Sequence, residues 1–129
     1  MNKEIKDRYI CLKIYPEFYK AQSDGIKNFE IRKNDKGFKV GDILILLEFD
    51  PNKKKYTKRG MLVKITYITD YAQKDDYEVL GTRVLDMTET IRAMLDIRKL
   101  KIDLHGASIE SVYFSPTSIL HELKGEKND

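Results

Sequence analysis

The chain contains 129 residues, of which 41% are hydrophobic and 35% are charged, with a formal net charge of +3. It has no apolar run of the ~18 residues that a membrane-spanning helix needs, and its charged start is unlike a secretory signal. A single cysteine excludes an internal disulfide, and with only two histidines it makes a poor zinc-binding set. We therefore expect a cytoplasmic protein that uses no metal and no cofactor.

Positive charge is concentrated in the first part of the chain. Residues 1–74 carry 17 Lys or Arg against 10 Asp or Glu, whereas residues 75–129 carry 7 against 11. A basic body of this kind suits a polyanionic partner such as nucleic acid. Small Lys-rich proteins often show the same imbalance, so the asymmetry alone does not decide the partner.

The first third of the chain predicts a strand, a short helix and a second strand. Residues 9–14 are apolar and β-prone, which predicts the first strand. Pro16 suits the first turn of a helix, and Gly25 suits the left-handed residue that follows a helix end. The run FEIR at residues 29–32 predicts the next strand.

Side chains alternate between the two faces of that second strand. We expect Phe29 and Ile31 to point into the core. Glu30 and Arg32 then share the opposite face with Asn28. A strand that buries one face and carries Glu and Arg on the other can line a groove, or it can be an ordinary solvated strand.

Further strands are predicted along the middle of the chain. Residues 42–49 form a nearly continuous apolar run that is typical of a buried strand. The Lys-rich residues 50–60 predict an exposed loop, and the alternating residues 61–69 predict another strand. Residues 77–85 predict one more strand, in which Gly81 marks a bulge or a close approach. Sequential strands with short links indicate a small, mainly antiparallel barrel or curled sheet.

The end of the chain predicts helical additions. A helix is expected over residues 88–100, with Asp86 or Thr88 as its N-cap. Residues 109–114 predict a strand, and Ser-Pro at 115–116 predicts the start of a last helix. One apolar stripe of the 88–100 helix should dock it on the barrel, or instead serve a dimer. That stripe consists of Ile91, Met94 and Leu95.

Two motifs suggest a family. The pattern GxKxxExR at residues 25–32, followed by FKVGD at 38–42, resembles the ASCH domain of the PUA-like superfamily, whose members are small β-barrels associated with RNA. Residues 12–50 are similar to a bacterial and phage subfamily of unknown function. The resemblance covers roughly residues 10–85. It implies an α+β fold, in which a PUA-like barrel at residues 9–85 and a helical extension at residues 86–129 make one domain.

The charged residues of the first motif are the leading candidates for a binding groove. Arg32 can direct two hydrogen bonds at a phosphate or a base edge, and Lys27 supplies a second cation. Glu30 can accept from an exocyclic amine or order the cations. Glu30 and Arg32 can equally take part in cross-strand ion pairing that only holds the barrel together. The predicted groove residues are Lys27, Asn28, Glu30 and Arg32, with Lys33, Asn34 and Asp35 at the rim.

The Lys-rich loop is a second candidate for nucleic-acid contact. Tyr56 lies among cations, and an aromatic ring in that position can stack on an unpaired base. The alternative is a solvated hairpin tip. The cations expected to attract phosphate are Lys58 and Arg59, together with Lys53, Lys54 and Lys55.

An enzymatic alternative comes from the same superfamily. Small amidohydrolases that remove the acetyl group of N4-acetylcytidine are similar to this chain at Gly25, Lys27 and Arg32. Their nucleophilic Thr is replaced here by Glu30, so Lys27 and Glu30 are the catalytic candidates only if the chain is an enzyme. Neighbouring cations favour the ionised form of a carboxylate, which argues against Glu30 as a general base.

The remaining candidates are weaker. Ribonuclease activity is suggested for some ASCH members, although the motif region contains no histidine. Cys11 falls in an apolar strand and should be an inert thiol, while His105 and His121 are more often structural than ligands. We therefore expect a nucleic-acid-binding module whose partner is RNA or a nucleotide, with no membrane contact and a monomeric state. A protein-interaction module acting through the C-terminal helices is a third hypothesis.

Overall fold

A computed structural model describes residues 5–115, which form a six-stranded mixed sheet and two α-helices. No helix in this described part is long and apolar enough to cross a membrane. The elements in chain order are β1 (Tyr9–Ile14), α1 (Pro16–Ser23), β2 (Phe29–Lys33), β3 (Ile43–Asp50), β4 (Lys55–Thr69), β5 (Tyr77–Val84), α2 (Met87–Leu100), a 3₁₀ turn (Ile109–Ser111) and β6 (Tyr113–Phe114).

The predicted α+β class is confirmed, but the sheet is a curled half-barrel and not a closed barrel. Its strand order is β1-β3-β4-β5-β2, with β6 alongside the first half of β4. The neighbours β3, β4, β5 and β2 pair antiparallel, whereas β1 pairs parallel with β3. Strands β1 and β2 thus stay at opposite edges of the sheet, and the gap between these edges is where the candidate site lies.

The sheet is buried on both faces, which explains the continuous apolar run of β3. Leu44 belongs to a cluster that includes Tyr19 of α1. Ile45, the next residue, belongs to a cluster on the other face that includes Ile97 of α2. Because every position of 43–48 is buried, no polar–apolar alternation is visible in this strand.

The predicted loop at residues 50–60 is shorter than expected, and this part of the prediction was wrong. A turn occupies residues 51–54, and β4 begins at Lys55. The carboxylate of Asp50 accepts the backbone N–H of Asn52 at 2.8 Å and of Lys53 at 3.2 Å, which fixes the turn. Residues 55–60 carry mostly exposed polar side chains, so their strand depends on pairing with β3 and not on an apolar pattern.

The predicted irregularity near Gly81 is present, although the bulge itself lies on the facing strand. The β4–β5 register shifts between Ile65 and Tyr67, and Gly81 pairs with Tyr67. A Cβ at Gly81 would meet Thr66 Oγ1 and Tyr67 Cβ at 3.4 Å. The shift changes which side chains of β4 face inward, so that Ile65 and Ile68 pack against the same cluster.

The predicted cap of α2 is confirmed, but the predicted docking face is wrong. Asp86 accepts the backbone N–H of Glu89 at 2.8 Å, and Glu89 accepts that of Asp86, which is a capping box. Ile91 and Leu95 are more than half exposed. The helix docks instead through its buried residues Thr90, Ala93 and Ile97, with Met94 only partly buried.

The predicted strand at residues 109–114 is mostly a 3₁₀ turn, and only Tyr113–Phe114 pairs with β4. Ser115 is the last described residue, and its N–H donates to the carbonyl of Gly60 at 3.2 Å. The helix predicted after it, with Pro116 and His121, lies outside the described residues.

Candidate functional site

The buried face of strand β2 is the one that was predicted to face away from the core. Glu30 is only 4% exposed, whereas Phe29 and Ile31 are 39% and 54% exposed. The expectation that Phe29 and Ile31 enter the core was therefore wrong, as was the placing of Glu30 on a solvated face. Glu30 is buried because the chain supplies it with polar partners there, which offset the cost of removing a carboxylate from water.

Four hydrogen bonds hold the Glu30 carboxylate. Its Oε1 accepts from Arg32 Nε at 3.1 Å and from Arg32 Nη2 at 2.8 Å. Its Oε2 accepts from Gln22 Nε2 at 3.1 Å and from the ammonium of Lys27. The predicted meeting of Lys27, Glu30 and Arg32 is therefore observed, and two cations share one carboxylate, which leaves a net charge of +1.

Local structure explains how these side chains meet. Gln22 lies one helical turn after Tyr19 on the buried side of α1, facing the sheet. Gly25 follows the helix with φ +76, a conformation that favours glycine, and lets the chain turn back into β2. Lys27 lies in that turn and also donates to the carbonyl of Phe29. The motif GxKxxExR thus joins the end of a helix to a strand around one buried carboxylate.

A cavity of about 630 Å³ opens over this charged cluster, in the gap between β1 and β2. We call it the first cavity. Most of its walls are apolar or aromatic, and Lys27 Nζ lies 5.0 Å from the ring centre of Phe29 and 5.9 Å from that of Phe18. Its lining residues are Lys13, Ile14, Tyr15, Phe18, Ile26, Lys27, Phe29, Glu30, Ile31 and Arg32.

The first cavity can hold a flat apolar group beside a negatively charged or acceptor group. Arg32 uses Nε and Nη2 within the protein, while its Nη1 has no partner among residues 5–115. Lys27 makes two hydrogen bonds and can donate a third. A mostly apolar pocket with a few fixed polar groups is the usual form of a small-ligand site.

The predicted groove residue Asn28 and the three predicted rim residues do not line the first cavity. Asn28 is exposed, and its carbonyl accepts the N–H of Thr82 at 2.9 Å, which is a structural role. Lys33, Asn34 and Asp35 are also exposed and lie beyond the cavity. Of the residues that build its apolar walls, sequence reasoning placed Phe29 and Ile31 in the core and gave Phe18 and Ile26 no role in the site.

The predicted residues of the Lys-rich segment lie elsewhere. Tyr56, Lys58 and Arg59 line another cavity of about 310 Å³, which we call the second cavity. His105 lines it too, and its Nδ1 lies 2.6 Å from the hydroxyl of Tyr56. The sequence separates these two residues by 49 positions, so only the fold could bring them together.

Burial shifts the pKa of Glu78 and the pKa of Cys11. Glu78 lies opposite Arg32 in the β2–β5 pairing, but its Oε1 is buried without a hydrogen-bond partner among residues 5–115. Burial, aided by the charge of Asp70, raises the pKa of Glu78. Burial and the charge of Asp103 raise the pKa of Cys11 to about 12, which keeps it a neutral thiol at ordinary pH.

A family model for a domain of unknown function, DUF3850, matches residues 10–82. The chain belongs to the DUF3850 family. No curated protein matches the chain. The DUF3850 match includes every residue that lines the first cavity, whereas the part of the second cavity formed by residues 104–112 lies beyond it. The ASCH and PUA-like resemblance stays a prediction.

Proposed function

We propose that this protein is a nucleic-acid-binding module that holds one unpaired base of RNA, or a free nucleotide, in the first cavity. The observation that carries the proposal is the combination of aromatic walls with two cations on one buried carboxylate. The resemblance of residues 25–42 to the ASCH domain supports the same function.

The apolar walls suit a nucleobase. Phe18 and Phe29 flank the ammonium of Lys27 and are both partly exposed at the cavity. Sequence-specific and unspecific RNA-binding proteins alike stack unpaired bases on such rings, with about 1–3 kcal/mol per base. A duplex would keep its bases paired and outside this cavity, so the proposal is restricted to single strands, loops, ends and free nucleotides.

The charged floor suits a phosphate or a base acceptor. The cluster around Glu30 has a net charge of +1, and the free Nη1 group of Arg32 can donate to a ligand oxygen. Glu30 does not read a base edge in this arrangement, because its two oxygens already accept four hydrogen bonds. Its role is to hold Lys27 and Arg32 in place, which was one of its predicted roles.

The amidohydrolase hypothesis receives less support from the geometry. The carboxylate of Glu30 is fully engaged by donors, so it is a poor general base. Tyr15 is the one hydroxyl-bearing residue among those lining the first cavity. The hydroxyl of Thr57, on β4, donates to Glu48 at 2.6 Å in another part of the protein. The protein-interaction hypothesis is supported by the exposed Ile91 and Leu95 of α2 but by no observed partner.

Equilibrium binding tests the proposal. Fluorescence anisotropy with labelled single-stranded RNA, a hairpin duplex and nucleotide competitors, measured over a salt series, should show saturable binding that prefers single strands and weakens with salt. Phe29→Ala should weaken binding roughly tenfold, since one stacking wall is lost. Lys27→Ala should weaken it as well. Tyr71→Ala and Lys99→Ala are matched controls, because both residues are exposed and lie away from the first cavity.

The proposal is wrong if the protein binds none of these ligands, or if Phe29→Ala and Lys27→Ala bind them as the control variants do. Hydrolysis can be followed in the same samples through the ultraviolet absorbance of N4-acetylcytidine. Release of the acetyl group that stops in Lys27→Ala would favour the amidohydrolase hypothesis instead.

A further inference from the structure

The second cavity is built around a second buried carboxylate. Glu48, on β3, is only 1% exposed. It accepts from Arg59 through Nε at 2.8 Å and Nη2 at 3.0 Å, and from the hydroxyl of Thr57 at 2.6 Å. The carboxylate of Glu48 is therefore neutralised by one arginine that donates to both of its oxygens.

A bulge in β4 aims these groups. Leu47 pairs with Gly60 and Phe49 with Tyr56, so Glu48 faces three residues of β4 instead of one. The middle residue of the three, Lys58, has φ 74, a conformation rarely adopted outside glycine. Bulges of this kind re-aim side chains, and strained backbone of this kind often marks a functional site.

A tight turn brings His105 to the same place. Leu104 and Ala107 form an isolated antiparallel bridge, and between them His105 and Gly106 have φ 55 and φ 91. The carboxylate of Asp103 accepts the N–H of Gly106 at 3.0 Å and holds the turn. The ring of His105 packs against that of Tyr56, with centroids 5.2 Å apart.

The groups around this cavity are mainly hydrogen-bond donors. Lys55, Lys58 and Arg59 line it against a single carboxylate that is already paired. Arg59 Nη1 and His105 Nε2 have no partner among residues 5–115. When the hydroxyl of Tyr56 donates to Nδ1 of His105, the neutral ring carries its proton on Nε2 and offers one more donor.

We infer that the second cavity is a binding site for a phosphate group, most favourably the dianionic phosphate of a monoester. The dianionic phosphate of a monoester offers only acceptor oxygens to the protein, and Lys and Arg are its usual partners in proteins. The apolar residues Leu47, Leu104 and Val112 line the rest of the cavity and can contact the organic part of the ester. This inference does not depend on a ligand in the first cavity.

The two cavities are linked by contacting side chains. The ammonium of Lys13, which lines the first cavity, lies 4.6 Å from the ring centre of Phe49. That ring packs edge-on against Tyr56 at 4.9 Å, and Tyr56 contacts His105. An RNA strand with a base in the first cavity could therefore place a terminal phosphate in the second cavity. A small phosphorylated molecule could occupy the second cavity alone.

Nuclear magnetic resonance of the histidine rings tests the inference. The chain has two histidines, so the ring signals of His105 can be assigned with the variant His105→Asn, and Asn tolerates positive φ. Titration with inorganic phosphate should move the His105 signals along a saturable curve. Lys58→Gln and Lys55→Gln should each weaken binding roughly three- to tenfold, the effect of losing one exposed cation. Lys53→Gln removes an equal charge outside the cavity and should change nothing.

Two results overturn the inference. One is that the His105 signals do not respond to phosphate; the other is that Lys53→Gln weakens the response as much as Lys58→Gln, which indicates diffuse charge and no site. A nucleoside monophosphate and short RNA with or without a 5′-phosphate then identify the source of the phosphate. Either source supports the site. Inorganic phosphate carries no base, so its effect on the His105 signals tests the second cavity alone, and failure of the first-cavity proposal remains distinguishable.

Discussion

The guanidinium of Arg32, on β2, donates from Nη2 to the backbone carbonyl of Lys13, on β1, at 2.8 Å. These strands are the two edges of the sheet, so this hydrogen bond spans the opening of the half-barrel. The same nitrogen also donates to Glu30. One side chain therefore links the fold's open edge to the charged floor of the first cavity.

Replacing Arg32 by lysine should destabilise the fold although the charge is kept. A lysine cannot reproduce the fork to Glu30 together with the bond to the Lys13 carbonyl. We expect the free energy of unfolding to fall by about 1–3 kcal/mol in urea denaturation followed by circular dichroism. Arg83→Lys is the control, since Arg83 is half exposed in its pair with Glu89 and should lose less than about 1 kcal/mol. Equal losses in the two variants would contradict the linking role of Arg32.

Glu78→Gln should stabilise the protein at neutral pH. Burial raises the pKa of Glu78 above that of the unfolded chain, so between the two values the folded chain binds more protons and its stability falls as the pH rises. The variant should gain about 1 kcal/mol at pH 7, and the difference should shrink as the pH falls below the ordinary pKa of 4.5, where the carboxyl becomes protonated in both states. Thermal unfolding across pH measures this. Asp75→Asn, which removes an exposed charge of the same sign, should not reproduce the pH dependence.

Glu89 should show the opposite dependence. The hydrogen bonds from Arg83 hold its pKa at about 2, against an ordinary value of 4.5. The stabilisation of the folded chain by ionised Glu89 is therefore complete above about pH 4.5 and is lost as the pH falls towards 2. Because Arg83 is half exposed, we expect Glu89→Gln to cost only about 1 kcal/mol at pH 7 and nothing near pH 2. If Glu89→Gln still destabilises the protein at pH 2, the effect comes from helix capping and not from the ion pair. Glu110→Gln, in an exposed pair with Arg98, is the control.

Gly60→Ala should be poorly tolerated for a steric reason. A Cβ at this position would lie 2.9 Å from Phe114 Cε1 and 3.2 Å from Leu47 Cδ2, inside the buried cluster that includes Ile97 of α2. We expect a loss of about 1–3 kcal/mol in urea denaturation. Gly81→Ala, whose Cβ would find its nearest atoms at 3.4 Å, should cost less. Similar losses at the two glycines would show that close approach at Gly60 is not the cause.

Elements with a strong local signal could be predicted from the sequence. The apolar run of β3 was identified correctly, and the cap of α2 is one of the two predicted candidates, Asp86, since burial and capping leave direct marks on residue type. The faces of β2 could not be predicted. In FEIR, Phe29 and Ile31 look like core residues, and the partners that bury Glu30 come partly from α1, outside the strand.

The candidate site was predicted only in part, for the same reason. Lys27, Glu30 and Arg32 lie close together in the chain, so local spacing was enough to bring them together. The second cavity depends on a bulge at Lys58 and on a turn that carries His105 across 49 positions to Tyr56. The sequence contains no local pattern for either contact. In α2, the apolar stripe through Ile91 and Leu95 was mistaken for the docking face because more than one side of the helix carries apolar residues.

The chain contains no tryptophan, so a tryptophan introduced by mutation supplies its only indole fluorescence. Ligand binding in the first cavity can be measured directly through that signal. The variant Phe29→Trp places a single indole in the cavity wall, and Tyr71→Trp places one at a position that is 84% exposed and away from it. We predict that nucleotides or short single-stranded RNA quench the fluorescence of the indole at position 29 along a saturable curve. Adding Lys27→Ala should weaken this binding roughly tenfold. The indole at position 71 should show no saturable response. Absence of saturable quenching at position 29, or the same response at both positions, would contradict the proposal that the first cavity holds a nucleobase.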